Sequence, residues 1–144
     1  MAITTNAICN SFKKELLEAT HNFSNPGGNT FKLSMYTNSA TLGKSTTSYT
    51  TGNEVSSSGY SAGGSALVNI GTSVATNTAI TDFADLSFTG VTLTARGALI
   101  YNDTATGDPA VAVLDFGGDK TASAGTFTIQ FPAFTTSAAI LRIA

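Results

Sequence analysis

The chain of 144 residues reads as mainly β: an antiparallel sandwich or jelly roll of about seven or eight strands, preceded by one N-terminal amphipathic helix. Three observations predict this. Apolar and polar residues alternate with a period of two in several short runs, most clearly VTLTA from Val91 and FTIQF from Phe127, as a strand with one wet face requires. Clusters of Gly, Asn, Asp, Pro and Ser separate the runs about every ten residues. Charged residues make up only 11% of the chain, and serine and threonine fill the gap at roughly a quarter, well above ordinary usage. A β-branched, charge-poor composition favours strands over helices. The length suits one domain, with residues 1–23 as arm and helix and residues 30–144 as the sandwich.

In chain order, Ala2–Thr5 reads as a short arm. Thr5 or Asn6 is placed to cap a helix that runs to about Asn22. Ile8, Phe12 and Leu16 recur at four-residue spacing beside Cys9 and Ala19, while Asn10, Lys13, Lys14 and Glu18 fall on the other side. Lys14 and Glu18 are spaced for an i,i+4 pair. Leu17 breaks the pattern and marks a second contact. Ser24–Asn29 ends the helix and turns the chain. FKLSMYT from Phe31 is a strand with Phe31, Leu33 and Met35 inward. Asn38–Gly64 has little periodicity; it is expected as a long surface excursion or a pair of edge strands, with a short strand at Glu54–Ser56. SALVNI, AITDF and DLSFTG supply further strands. Val91–Phe131 is expected to hold three strands, turned at Asn102–Pro109 and again at Gly117–Lys120. AVAVLDF is apolar on both faces, so it is expected in mid-sheet. AAILRIA from Ala138 closes the fold.

Several function classes find no support in the residues. A net charge of −2 argues against a nucleic-acid binder. No apolar run approaches the ~20 residues that span a bilayer, and the first residues lack the pattern of a secretory signal. The single cysteine, Cys9, excludes an intrachain disulfide; folding in a reducing cytoplasm is expected. On a continuous helix Cys9 and His21 are about 18 Å apart, too far to work as nucleophile and base. His21 near a helix C-terminus reads as favourable electrostatics, and Cys9 as a small buried hydrophobe. All aspartates except Asp115 are expected at strand ends or turns; Asp103 with Asp108, or Asp115 with Asp119, lack calcium-loop spacing. Asp115-Phe116-Gly117 matches a kinase triplet without the motifs that accompany it. No catalytic, cofactor or metal residue is therefore assigned.

The segments AICNSFKKELLEATHNF, ITDFAD, LTARGALIYN, AVAVLDFGGDK and FTIQFPA resemble a family of small virion proteins encoded by tailed bacteriophages, over nearly the whole chain. The resemblance carries no catalytic motif. It implies a non-enzymatic capsid cement or decoration protein of the virion, bound to the major capsid protein of the head and assembled in the bacterial cytoplasm. A homodimer or homotrimer on capsid symmetry axes is expected, with no cofactor, nucleic acid or membrane involved. The alternatives are another virion part (tail fibre, tail tube or head–tail connector) and a host-surface or carbohydrate-binding β module, which would expose aromatics at loop tips. Candidate partner contacts are Ile3 and Thr5 of the arm, Lys13, Lys14 and Leu17 of the helix, and Tyr49 and Tyr60 of the excursion.

Overall fold

A computed structural model describes residues 3–144. Two antiparallel sheets and one short helix form a mainly β fold consistent with a sandwich. The large sheet has the order β1-β7-β6-β2-β3 and the small sheet β4-β5-β8. The strands are β1 (Ala7–Ile8), β2 (Phe31–Tyr36), β3 (Ser65–Ala66), β4 (Asn69–Ala75), β5 (Thr78–Phe83), β6 (Leu86–Asn102), β7 (Ala110–Ile129) and β8 (Leu141–Ile143). The helix α1 is Asn10–Leu17.

The helix is shorter than its sequence pattern suggests, at both ends. Ala7 and Ile8 are extended and pair with Val113 and Ala112 of β7, so the sheet claims the backbone that a longer helix would use. Asn6 does not cap; its Oδ1 accepts a hydrogen bond from the Asp115 N–H at 2.6 Å. Cys9 occupies the N-cap position in extended conformation, without a side-chain cap bond, rather than the middle of the helix. At the other end Ala19 has φ 60°. The Thr20 N–H bonds the Glu15 carbonyl and the Ala19 N–H bonds that of Leu16, the paired closure of a left-handed C-cap. The chain then reverses, and Phe23 is buried.

Val91–Phe131 forms two long strands where three were expected. β6 and β7 make one hairpin, registered from Leu86↔Ile129 to Tyr101↔Ala110, and Asn102–Pro109 is its turn. Gly117–Lys120 does not turn the chain. Ala95 pairs with Lys120 and Gly97 with Asp115, so Phe116–Asp119 all lie opposite Arg96. Gly117, at φ 77°, absorbs that bulge in a conformation other residues resist. Asp119 therefore sits within a strand, where a turn or strand end was expected; Asp82, next to the last residue of β5, is at a strand end and fully buried. The facing of this hairpin follows its alternation: Val91, Leu93, Ala95, Phe127, Ile129 and Phe131 are all buried. Ala110–Val113 is buried on both faces, between β1 and β6.

SALVNI splits between the sheets. Ser65–Ala66 continues the large sheet beside β2, and after Leu67–Val68 the chain enters the small one as β4. A row of phenylalanines ties the layers together: Phe23 stacks on Phe31 at 4.3 Å, Phe31 lies 5.8 Å from Phe83, and Phe83 lies 5.6 Å from Phe131. These rings come from the segment after α1, from β2, from β5 and from the residues just after β7, so one core joins both sheets. Burying each contributes roughly 1.5–3 kcal/mol.

Candidate functional site

Asn38–Gly64 is irregular, and its expected strand at Glu54–Ser56 is reduced to a single bridge between Glu54 and Tyr36. Its interior chemistry is ordered nonetheless. The carboxylate of Glu54 accepts hydrogen bonds from the Tyr49 and Tyr60 hydroxyls, both at 2.6 Å, and from the Gly63 N–H at 2.8 Å. The Tyr60 oxygen also accepts from the Met35 N–H at 2.9 Å. Tyr36 donates to the Thr50 carbonyl and Tyr101 to that of Gly63, each at 2.7 Å. Tyr49 stacks on Tyr101 at 4.7 Å. All four tyrosines of the chain thus join one network that fastens the excursion onto β2 and β6. Burial pushes every phenol up from its ordinary value, and the Glu54 charge adds to the effect at Tyr49 and Tyr60. The arrangement holds its donors protonated and paired, which suits a fastening and gives no activated nucleophile.

A second polar cluster lies behind α1. His21 is buried among Phe12, Phe23 and Phe31. Asn102 Nδ2 donates to its Nδ1 at 3.0 Å, and its Nε2 stands 3.7 Å from Glu15 Oε2. Burial lowers its pKa against the opposing pull of Glu15, so the ring is not placed as a cation for the helix end. Cys9 is fully buried, and burial pushes its thiol up to about 11. Asp103 pairs with Lys32 and Asp115 with Arg96. Among the described residues, no three His, Cys, Asp or Glu side chains converge, and no helix is long and apolar enough to cross a membrane.

The outer surface near the small sheet is different in character. Register places Val74, Ala79 and Ile143 in one cross-strand row; Val74 is 70% and Ile143 62% exposed, and Ala79 is exposed as well. Val68 and Ile70 are exposed at the start of the same sheet, and β4 carries no charge in NIGTSVA. Between this sheet and α1 runs a groove of about 700 Å³. Ile8, Phe12 and Leu16 line it from the helix side, and Ile140–Ala144 from the sheet side, with Lys13 and Arg142 also in the lining. Leu17, 91% exposed, lies four residues beyond Lys13 on the same side of the helix.

The residues singled out from sequence are dispersed. Leu17 and Lys13 belong to this surface; Lys14 is exposed and pairs with Glu18. Ile3 is fully buried, packed near Gly97. Thr5 is exposed and its hydroxyl meets the Asn6 carbonyl. Tyr60 is buried and Tyr49 half-buried, so neither presents an aromatic ring at a loop tip. Val68, Ile70, Val74, Arg142 and Ile143 were not anticipated as surface features. Ile70 and Val74 have one sequence signal, the lack of charge on β4, because period-two alternation does not reveal which part of a strand outruns its cover.

Comparison with known protein families, curated proteins and solved structures finds no match to this chain.

Proposed function

We propose that this chain is a non-enzymatic structural subunit: a cement or decoration protein that binds the outer lattice of a tailed-bacteriophage head. The observation that carries the reading is the outward apolar row of Val74, Ala79 and Ile143, with Val68, Ile70 and Leu17 also exposed, on a chain with only 11% charged residues. Apolar side chains clustered in the open mark surfaces that become buried in assemblies. The well-fastened interior, with its tyrosine network and phenylalanine row, supplies the stable fold that such a role needs. The resemblance of the AVAVLDFGGDK block and its neighbours to phage virion proteins supplies the type of assembly. The reading includes a homodimer or homotrimer, for which the uncharged edge strand β4 is the natural seam, since an unguarded edge invites strand pairing.

The test is the copy number in purified virions, by quantitative mass spectrometry against the major capsid protein. The expected result is parity or a simple fraction of it. A handful of copies per particle would move the protein to the tail or portal vertex, and absence from virions would overturn the reading.

A further inference from the structure

We infer that the groove between α1 and β8 receives an extended peptide segment of the partner, with apolar side chains and a carboxylate, added as a strand to the outer edge of β8. Three observations converge on that occupant. First, β8 is the end strand of the small sheet, and Leu141–Ile143 pair only with β5. Its other edge is open among the described residues. Second, the groove follows β8 along Ile140–Ala144 and reaches across the small sheet to Thr78–Thr81 of β5 and Thr72 of β4, which gives an extended segment length to lie along. Edge addition supplies affinity through main-chain hydrogen bonds, while pockets read alternate side chains. The stripe of Ile8, Phe12 and Leu16 across the groove is the apolar wall for those side chains.

Third, the charge is one-sided. Lys13 and Arg142 both line the groove. Neither forms an ion pair among the described residues, in contrast to Lys14, Lys32 and Arg96. Lys13 bonds only Asn10 Oδ1, at 3.3 Å, and Arg142 only the Thr136 carbonyl, at 3.4 Å. No aspartate or glutamate side chain lines the groove. An acidic side chain on the incoming strand completes this site, and a basic one is rejected.

The inference rests on the lattice-subunit reading only for the source of the strand, which in that reading is the capsid protein. The test uses purified protein alone, so its failure is separate from absence in virions. The probe is a synthetic, end-blocked heptapeptide alternating isoleucine or valine with aspartate or glutamate. Its counterpart carries lysine at the acidic positions. Amide shifts are followed by NMR on the isotope-labelled protein. The acidic peptide is expected to shift α1 and Leu141–Ile143 and to slow amide exchange along β8, and the lysine peptide to bind at least tenfold more weakly. The double variant Lys13→Glu, Arg142→Glu, both exposed positions, is expected to reverse that preference. Equal binding of both peptides, shifts elsewhere, or no shifts at millimolar peptide would overturn the inference. So would the same shifts produced by laurate but not by peptide, which would assign the groove to an acyl chain. Protection of β8 on raising the concentration of this protein alone would assign it to a second copy instead.

Discussion

Replacing Glu54 with alanine removes the acceptor that holds Asn38–Gly64 in place. Three hydrogen bonds end on its carboxylate, from Tyr49, Tyr60 and the Gly63 N–H. A hydrogen bond to a charged group is worth about 1.5–3 kcal/mol net. The lower end applies here, because Glu54 and Tyr49 are only half-buried and water replaces part of what is lost. Three bonds at that end come to about 4.5 kcal/mol, and the water that takes their place brings the loss to about 3–4 kcal/mol. For a domain of this size each kcal/mol moves Tm by about 3 °C, so Glu54→Ala is expected to melt about 10 °C lower. Glu54→Gln keeps one strong acceptor and is expected to lose less than half as much. Differential scanning calorimetry gives the magnitude, and native-state hydrogen exchange gives the location: amides of 38–64 speed up while those of the β6–β7 hairpin hold. A Glu54→Ala protein that melts within about 1 °C of the parent, with unchanged exchange in the excursion, would refute the fastening argument.

The same network governs alkaline behaviour. Burial pushes the Tyr36 phenol up to about 12 and raises the other three from their ordinary value of 10.0. A phenol raised in the folded state contributes stability that is present below pH 10 and lost as pH rises through the folded value. Phenolate absorbance is therefore expected to stay low past pH 10 and then appear cooperatively with unfolding; independent titration of four phenols near pH 10 would contradict this. His21 has the opposite sense. Burial lowers its folded pKa below the ordinary 6.5, so its contribution is complete above that value and is lost on acidification below it. The fall in Tm between pH 7 and pH 5 should be shallower in His21→Phe, and an unchanged slope would remove His21 from the explanation. Phe131, buried and 5.6 Å from Phe83, is expected to cost about 3 kcal/mol on truncation to alanine, read from chemical denaturation midpoints; a cost below 1 kcal/mol would place the ring outside the core.

Much of the fold was legible because alternation is a direct imprint of a half-buried sheet. Val91, Leu93 and Ala95 face inward for the reason their spacing suggests, and so do Phe127 and Ile129. Turn chemistry was less reliable. Asn102–Pro109 is a turn, whereas Gly117-Gly118-Asp119-Lys120, equally rich in turn formers, is a bulge inside a strand. Local composition permits both outcomes, and the partner strand decides between them. The helix lost its first turn for a similar reason: Ala7–Ile8 pairs with β7, a long-range contact that no local pattern records. The tyrosine network was illegible because Glu54 and its donors meet through an irregular loop without periodicity. The candidate surface was partly legible in Leu17, the one residue that broke the helical pattern. Val74 fell between the runs read as strands and Ile143 within the closing one, and only the register of β4, β5 and β8 sets them in one exposed row.

The central claim, that this protein is held in an assembly through α1 and the small sheet, is tested most directly by hydrogen–deuterium exchange on the free protein and on purified particles that contain it. Assembly is expected to slow exchange in Asn69–Ala75, in Leu141–Ile143 and along α1, and to leave the excursion at 38–64 unchanged. Identical exchange in those segments, with protection confined to the excursion or to the β6–β7 hairpin, would contradict the account and place the contact on the opposite part of the molecule.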